Sequence, residues 1–459
     1  MITAASAGLL AFLLAYLPTV AQGQWQGDEY DYAANLRDHG IGFTLHRVAY
    51  FGPRPVSELF IWLYAELINA THKPWIGTFT AFGWGASLLI AFAGFLTFRT
   101  QAFLPRIFLA LCLASLFLLG HPVADFLYWP MGMIAYLPTV AGLCALTLLI
   151  LDGHLSSRSG RNWAMAALLV AAGSSEVGAM AVLCFGSVMF CWAIRSRAPW
   201  LWLVPPLAMI CFVFYVIFTG RAAAPPTLPS PTGHHLFASL TTAAWQFGRD
   251  LLVVHRNDLA GGFEGDGLLR AGTKIKLLIL AGFILLARQC FARPPFWPSL
   301  ILLASLLFAI FASIVSAYYQ FGFLCCQRHE SVRQCLEILA LLTGAALVAP
   351  ALPAARAVPA AILCLGLAMA PMLAWRIPSL ALAWRAREAS AASRTLTWQT
   401  GLGPGERMLF SQPDAPLIHR PMFPPGDHLA GPTQPWDIYS LLRFFQKRDV
   451  RVLSAPVVR

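Results

Sequence analysis

Long apolar runs, punctuated by short clusters of arginine, proline and glycine, fill most of the chain up to position 375. A run of about 18 or more apolar residues with few charges is what a membrane-crossing helix requires. In lipid every backbone group must be satisfied within the segment, which makes the helix the expected spanning form. The runs fall near 2–21, 75–97, 106–120, 134–151, 162–174, 178–194, 200–219, 276–290, 297–316, 333–350 and 358–375. They predict an all-α polytopic membrane protein with about eleven transmembrane helices. The fifth run passes into GSSE just before the sixth begins, which predicts a tight hairpin there. The run from Ile2 to Ala21 lacks a basic leading segment and is long for a signal peptide, so it reads as a retained first helix.

Orientation follows from the basic residues of the short loops. One set holds Arg99, Arg106, Arg158, Arg161, Arg195, Arg197, Arg288, Arg293 and Arg356, with Asp152 almost alone against them. The opposite set holds only Arg328 and Arg333. The first set is therefore assigned to the cytoplasm. The loops 22–73 and 220–275 and the tail 376–459 then all face outward, which puts every sizeable polar segment on one side.

The polar segments break the hydrocarbon pattern in different ways. In 22–73, Gly52, Pro53 and Pro55 divide the loop, and Val56, Leu59, Phe60, Leu63 and Leu67 then recur at helical spacing opposite Glu58, Glu66 and Asn69. This is an amphipathic helix suited to the membrane surface, or else an extension of the second span. The segment 220–275 opens with the Pro-rich APPTLPSPTG, an extended strap, and continues into a helix around 236–254. Its GGFEGDG neither follows a strand nor opens a helix as a phosphate loop does. From Arg376 the composition changes: RIPSLALAWRAREASAASR reads as a basic surface helix with Trp384 at headgroup level. RMLFS, a helix near Trp436 to Lys447 and VRVLS then predict a small α/β appendage. The domains are thus a transmembrane unit, 1–375, and an outward C-terminal unit, 376–459.

Composition sharpens the class. The 459 residues are 58% apolar and 12% charged, and the net charge of +11 comes largely from arginines between apolar runs. That charge serves topology and lipid headgroups, not nucleic acid. Most of the ten cysteines lie inside apolar runs, where they act as small hydrophobes, and the adjacent Cys325 and Cys326 fit no metal spacing. His234, His235 and His255 fit none either.

Charge is densest just after the first span, in GQWQGDEYDYAANLRDHG. If Asp28 begins a helix ended by Gly40, then Asp28, Asp31 and Asn35 share one face and Glu29 lies on a neighbouring one. A carboxylate beside low-dielectric protein is suited to act as a general base toward a sugar or lipid hydroxyl. The same acids suit a helix start, with Asp28 as N-cap and Asp31 as its capping partner. Arg47 and Arg54 in this loop, and Arg328, His329 and Arg333 in CCQRHESVRQ, stand at the outward face against the topological bias. Guanidinium groups there bind a lipid phosphate, as a donor site or by reaching up to headgroups. Glu176 in GSSEVGAM is an acid in apolar surroundings, a functional candidate by default. Asp125, Tyr128, Trp129 and Tyr136 in HPVADFLYWPMGMIAYLP form either an interfacial aromatic belt or a platform for a sugar ring.

With these features together, the chain resembles the GT-C superfamily of integral-membrane glycosyltransferases. The resemblance rests on the apolar first helix, the outward first loop opening with GDEYDYA, its amphipathic helix, the number of spans and the outward C-terminal segment. FLYWPMGMIAYLP and GSSEVGAM are similar to stretches in uncharacterised bacterial members. The resemblance implies transfer of a sugar from a polyprenyl-phosphate donor to a glycan or lipid-linked acceptor, with inversion. It implies a catalytic base in the first loop, which maps best onto Asp28, and donor-phosphate contacts from Arg328 or Arg333. No cofactor is implied, and a divalent metal stays open. The sequence departs from the commonest pattern in offering three acids, Asp28, Glu29 and Asp31. A polymerase or ligase of the O-antigen type, using Arg249, Arg256 and Arg270 of the late loop, is the alternative enzyme. A transporter or flippase of lipid-linked sugars is the alternative outside catalysis.

Overall fold

The computed structural model describes residues 1–96, 102–120, 124–219, 235–252, 266–291, 294–324, 327–351, 357–411, 423, 425–429 and 435–453. Eight helices in it are long and apolar enough to cross a membrane: Ile2–Gln22, Phe103–Gly120, Pro130–Leu151, Glu176–Arg195, Leu201–Thr219, Phe296–Phe321, His329–Val348 and Ala357–Leu402. The protein is a multi-pass helical membrane protein. Three more of the predicted segments are also helical, Ile76–Leu96, Arg158–Ser174 and Asp266–Cys290. The second of these is only 17 residues long, and the third carries Lys274, Lys276 and Arg288.

In chain order the helices used below are α1 (Ile2–Leu14), α2 (Gly27–His39), α3 (Ile41–His46), α4 (Pro55–Thr71), α5 (Ile76–Leu96), α6 (Phe103–Gly120), α7 (Pro130–Leu151), α8 (Arg158–Ser174) and α9 (Glu176–Arg195). They continue as α10 (Val204–Thr219), α11 (Leu236–Leu252), α12 (Asp266–Cys290), α13 (Phe296–Phe321), α14 (Gln327–Val348), α15 (Ala357–Leu402) and α16 (Trp436–Phe445). Strands β1 (Arg407–Ser411), β2 (Gly426–Leu429) and β3 (Asp449–Leu453) form one sheet in the order β1-β3-β2. β3 runs parallel to β1, with Met408 opposite Val450, and antiparallel to β2. The expected C-terminal α/β unit is therefore present, with β2 added to the two strands read from the sequence.

The two ends of the bundle are held by different chemistry. At one end Arg106, only 2% exposed, pairs with Asp152 at 2.6 and 3.2 Å and donates to the Cys290 carbonyl at 2.7 Å. This ties the start of α6 to the ends of α7 and α12. The sequence groups Arg106 with topology-setting arginines that face headgroups, but here it is a buried tie. A lone charge at that depth is costly, and a bidentate carboxylate plus a carbonyl occupies much of the guanidinium fork.

The other end carries α2–α4, the starts of α7, α9 and α14, and the C-terminal sheet. The fifth and sixth predicted runs do form a hairpin, since only Ser175 separates α8 from α9 and its hydroxyl caps α9 by accepting from Gly178 N–H at 3.0 Å. Helix α4 is separate from α5, because the chain turns through left-handed conformations at His72 and Trp75. It buries Ser57, Glu58 and Ile61 and turns Leu59, Phe60 and Leu63 outward, each about half exposed (52, 48 and 49%). That is the orientation of a helix whose outer surroundings are hydrocarbon.

Helix α15 is continuous for 46 residues through Pro371 and Pro378. The change of composition at Arg376 is thus not a break in the helix, and Arg376 is buried instead of lying on a basic surface. Trp384 donates to the Ala15 carbonyl at 2.8 Å, and Arg394 donates to the Gly23 carbonyl at 3.2 Å. The helix therefore lies along the first span and carries the sheet to the end where α2 begins.

Candidate functional site

Helix α2 starts one residue before the expected point. Gln26 is the N-cap, and Glu29, at the third helical position, accepts the Gln26 N–H at 2.9 Å. Asp28 and Asp31 therefore do not form the capping box; Glu29 closes it. The same carboxylate accepts the Met131 N–H at 3.0 Å and the Trp129 indole N–H. Trp129 is the N-cap of α7 and Pro130 its first residue, so one side chain closes the N-termini of two helices. Glu29 is 3% exposed, and burial pushes its carboxyl up to about 8 against the pull of the three N–H donors. Helix α2 ends as the glycine implies, with Gly40 at φ +62 and its N–H on the Leu36 carbonyl.

The other two acids of this turn are half-buried. Asp31 sits 3.8 Å from Arg443 of α16, and burial raises its carboxyl while Arg443 and Arg47 oppose the rise. Asp28 lies one turn away at the very start of α2, and its charge acts on Asp31, on Asp437 and on Arg54.

Arg54 is the hub of the site. Burial works against its charge, but Glu176, Tyr136, Glu58 and Asp28, in that order, outweigh burial and hold the guanidinium above its ordinary value. Its ion contact to Glu58 is 3.6 Å long, and its Nε has no hydrogen-bond partner. Glu58, fully buried, is instead gripped by Arg47 through two bonds of 3.2 Å. Arg47 lies over the rings of Tyr32, Phe43 and Phe51 at 5.2–5.9 Å. One arginine is thus committed to the carboxylate, while the other faces the cluster.

A single serine explains why segments distant in sequence meet here. Ser57 Oγ lies 2.9 Å from the Ala135 carbonyl and 2.8 Å from the Ser174 carbonyl. Those residues stand just before Tyr136 and the Ser175–Glu176 cap, so Ser57 docks the Arg54 turn beside both. Thr139 and Ser175 hydroxyls meet at 2.8 Å and join α7 to the start of α9. Tyr136 in turn shares a 3.0 Å hydrogen bond with His329 Nε2, bringing in the first turn of α14, with Arg333 buried one turn deeper.

Of the sequence candidates, Asp28, Arg54, Tyr136, Glu176 and His329 come together. Arg47 is next to them but held by Glu58. Trp129 is bound to Glu29. Tyr128 points away, its hydroxyl 2.5 Å from Thr19 Oγ1 and its ring 6.2 Å from that of Trp84. All four aromatics of that stretch, Phe126 included, are buried, so they are not an interfacial belt. The side chains of Asp125 and Arg328, the Cys325–Cys326 pair, His234, His255 and most of the late loop lie outside the described residues.

Sequence reasoning missed Ser57, Asp437 and Arg443, and it read Glu58 only as the polar side of a surface helix. Glu58 had a local signal in its i,i+4 relation to Arg54. Asp437 and Arg443 had none, because their partners lie at the far end of the chain.

The cluster joins a half-buried carboxylate, a buried guanidinium with donor capacity left over, a phenol–imidazole pair and a second acid. Such a set is equipped to accept a proton from a hydroxyl and to hold an anion beside it. Among the described residues no group of three or more His, Cys, Asp or Glu is arranged to hold a metal ion. Compared with protein-family models, curated proteins and solved structures, the chain matches none.

Proposed function

We propose that the chain is a membrane glycosyltransferase of the GT-C kind, which moves a sugar from a polyprenyl-phosphate donor to a hydroxyl of a glycan or lipid-linked acceptor. The observation that carries this reading is that Ser57 docks the Arg54 turn beside Tyr136 of α7 and Glu176 of α9, with Asp28 near enough for its charge to act on Arg54. In this reading Asp28 takes the proton of the acceptor hydroxyl as its oxygen bonds to the anomeric carbon. The bond from that carbon to the phosphate oxygen breaks, its electron pair leaves with the phosphate, and the configuration inverts. Arg54 and Arg333 neutralise the phosphate, whose negative charge grows in the transition state. Tyr136 and Glu176 line the sugar. With α5, α8 and α12 counted as spans, the chain crosses eleven times and its first loop and C-terminal segment face the periplasm.

The test begins with mass spectrometry of lipid that copurifies with the protein, followed by a transfer assay with that lipid. Asp28→Asn is expected to lower transfer by at least about 10²-fold, the scale of positioned proton transfer. Full activity in Asp28→Asn, Glu29→Gln and Asp31→Asn alike would remove the first loop from the chemistry.

One observation favours a second reading, a flippase for lipid-linked sugars. Glu330, Arg333, Gln334 and Glu337 recur at helical spacing and are all buried on α14, and Glu337 pairs with Lys276 of α12. Charged groups inside a membrane mark substrate or proton paths by default. Translocation of a fluorescent lipid-linked sugar across proteoliposomes, without transfer, would favour it over the enzyme.

A further inference from the structure

This inference rests on the reading of Asp28 as the base. The surface that meets the start of α2 comes from the other end of the chain, from α16. Gly27 opens α2 without a side chain, and a Cβ there would collide with Asp437 Oδ1 and come within 2.8 Å of the Trp436 ring. The Asp437 carboxyl thus lies against the turn that bears Asp28. Farther along the same pair of helices, Arg443 contacts Asp38 at 2.8 Å and Asp31 at 3.8 Å. Arg37 donates in return to the carbonyls of Phe444 at 2.9 Å and Arg443 at 3.3 Å. Between these polar contacts, Trp25 packs on Phe444 at 5.3 Å and on Trp398 at 5.1 Å, and Tyr30 packs on Phe444 and Phe445 at 5.7 and 5.9 Å.

The two helices are therefore fixed in register. Apolar packing gives the contact its area, and the paired charges allow one alignment only. Polar groups of the C-terminal helix that reach a half-buried carboxylate without neutralising it do not serve as a latch, for which Arg443 suffices. Asp437 adds a second negative group beside the first.

We infer that Asp437 is a positioning residue for the first-loop base: α16 delivers its carboxyl across Gly27 to form a pair with Asp28, which makes the C-terminal unit part of the acceptor-activating site. The charged groups coupled to Asp28 are Glu29 and Asp31 on α2 and Arg54 before α4, and Arg443 of α16 bears on Asp31. Burial, and after it the charge of Asp28, raises the Asp437 carboxyl above the ordinary aspartate range. The charge of Asp28 thus bears on the Asp437 carboxyl, so a change at Asp28 is read at Asp437.

The test uses full-length protein in detergent: wild type, Asp28→Asn, Asp437→Asn, the double variant and Gly27→Ala, with apparent unfolding midpoints measured from pH 4 to pH 8. A group raised in the folded state contributes stability below its ordinary value, and that stability is lost as pH rises through the raised value. Asp437→Asn is expected to remove about 2 °C or more of the loss of midpoint that wild type shows over this range. Asp28→Asn is expected to remove part of the same loss, and the double variant no more than Asp437→Asn alone. Gly27→Ala, which pushes the carboxyl away while keeping both acids, is expected to weaken the coupling. Transfer activity is measured in parallel and is expected to be lost in Asp28→Asn. Additive pH slopes, or an unchanged slope in Asp437→Asn, overturn the pairing whatever the activities are. Coupled slopes with full transfer by Asp28→Asn overturn the base assignment instead, and with it the positioning role.

Discussion

Glu29 is the acid on which two helix starts depend, and replacing it with glutamine tests that directly. The carboxyl accepts three N–H groups, from Gln26, Met131 and Trp129. Held protonated at neutral pH, it still offers a lone pair on each oxygen, whereas glutamine keeps the volume but presents one oxygen and one NH2. Its better orientation keeps the oxygen where Gln26 and Trp129 donate, and that sets its NH2 against the Met131 N–H. A buried backbone donor then faces another donor, at a cost of about 1–3 kcal/mol. The magnitude is a sizeable share of the roughly 5–15 kcal/mol by which domains are stable. At about 2 °C per kcal/mol for a chain of this size, the apparent midpoint of the detergent-solubilised protein should fall by roughly 2–6 °C at neutral pH.

The pH dependence gives a second reading of the same site. Burial puts the folded carboxyl at about 8, above its ordinary value of 4.5. The group therefore contributes stability that is complete below the ordinary value and is lost as pH rises through about 8. Glu29→Gln should remove that slope, so its deficit against wild type is largest in acid and narrows toward alkaline pH. Trp129→Phe deletes one of the donors that hold the value down, and should make the alkaline loss steeper. A Glu29→Gln midpoint equal to wild type across this range would refute the two-helix cap. Loss of transfer without loss of stability would assign Glu29 to the chemistry instead.

The buried tie at the opposite end should behave as a pair. Asp152→Asn leaves the Arg106 charge uncompensated and should cost about 3–5 kcal/mol, whereas Arg106→Leu with Asp152→Leu should recover most of it, as read from unfolding midpoints. The Lys276–Glu337 pair gives the same pattern if it only joins α12 to α14: Glu337→Leu destabilises, and adding Lys276→Met restores the midpoint. Cysteines placed at Gly40 and Ser411 should both react with an impermeant maleimide in intact cells. Labelling of either one only after lysis would break the assigned topology.

Much of the architecture was legible because it depends on contiguous residues. Transfer of an apolar run into lipid is a property of the run itself, and so the eight spans stand where the hydropathy of the chain puts them. The same holds for Gly40 at the end of α2, Ser175 at the α8–α9 hairpin, and the strands at RMLFS and DVRVL, which are fixed by local backbone preference and capping. The division of labour among the three acids was not legible. Asp28, Glu29 and Asp31 are equivalent as letters, and only the meeting of α2 with α7 turns Glu29 into a cap for Met131. Arg106 reads as a headgroup arginine until Asp152 and Cys290 arrive from two other helices. Arg443 reaches Asp38 from 405 positions away, and Asp437 reaches Gly27 by the same docking. Such pairings depend on which helix faces meet after the chain has packed, and the free energy that selects them is summed over surfaces no single stretch of sequence contains.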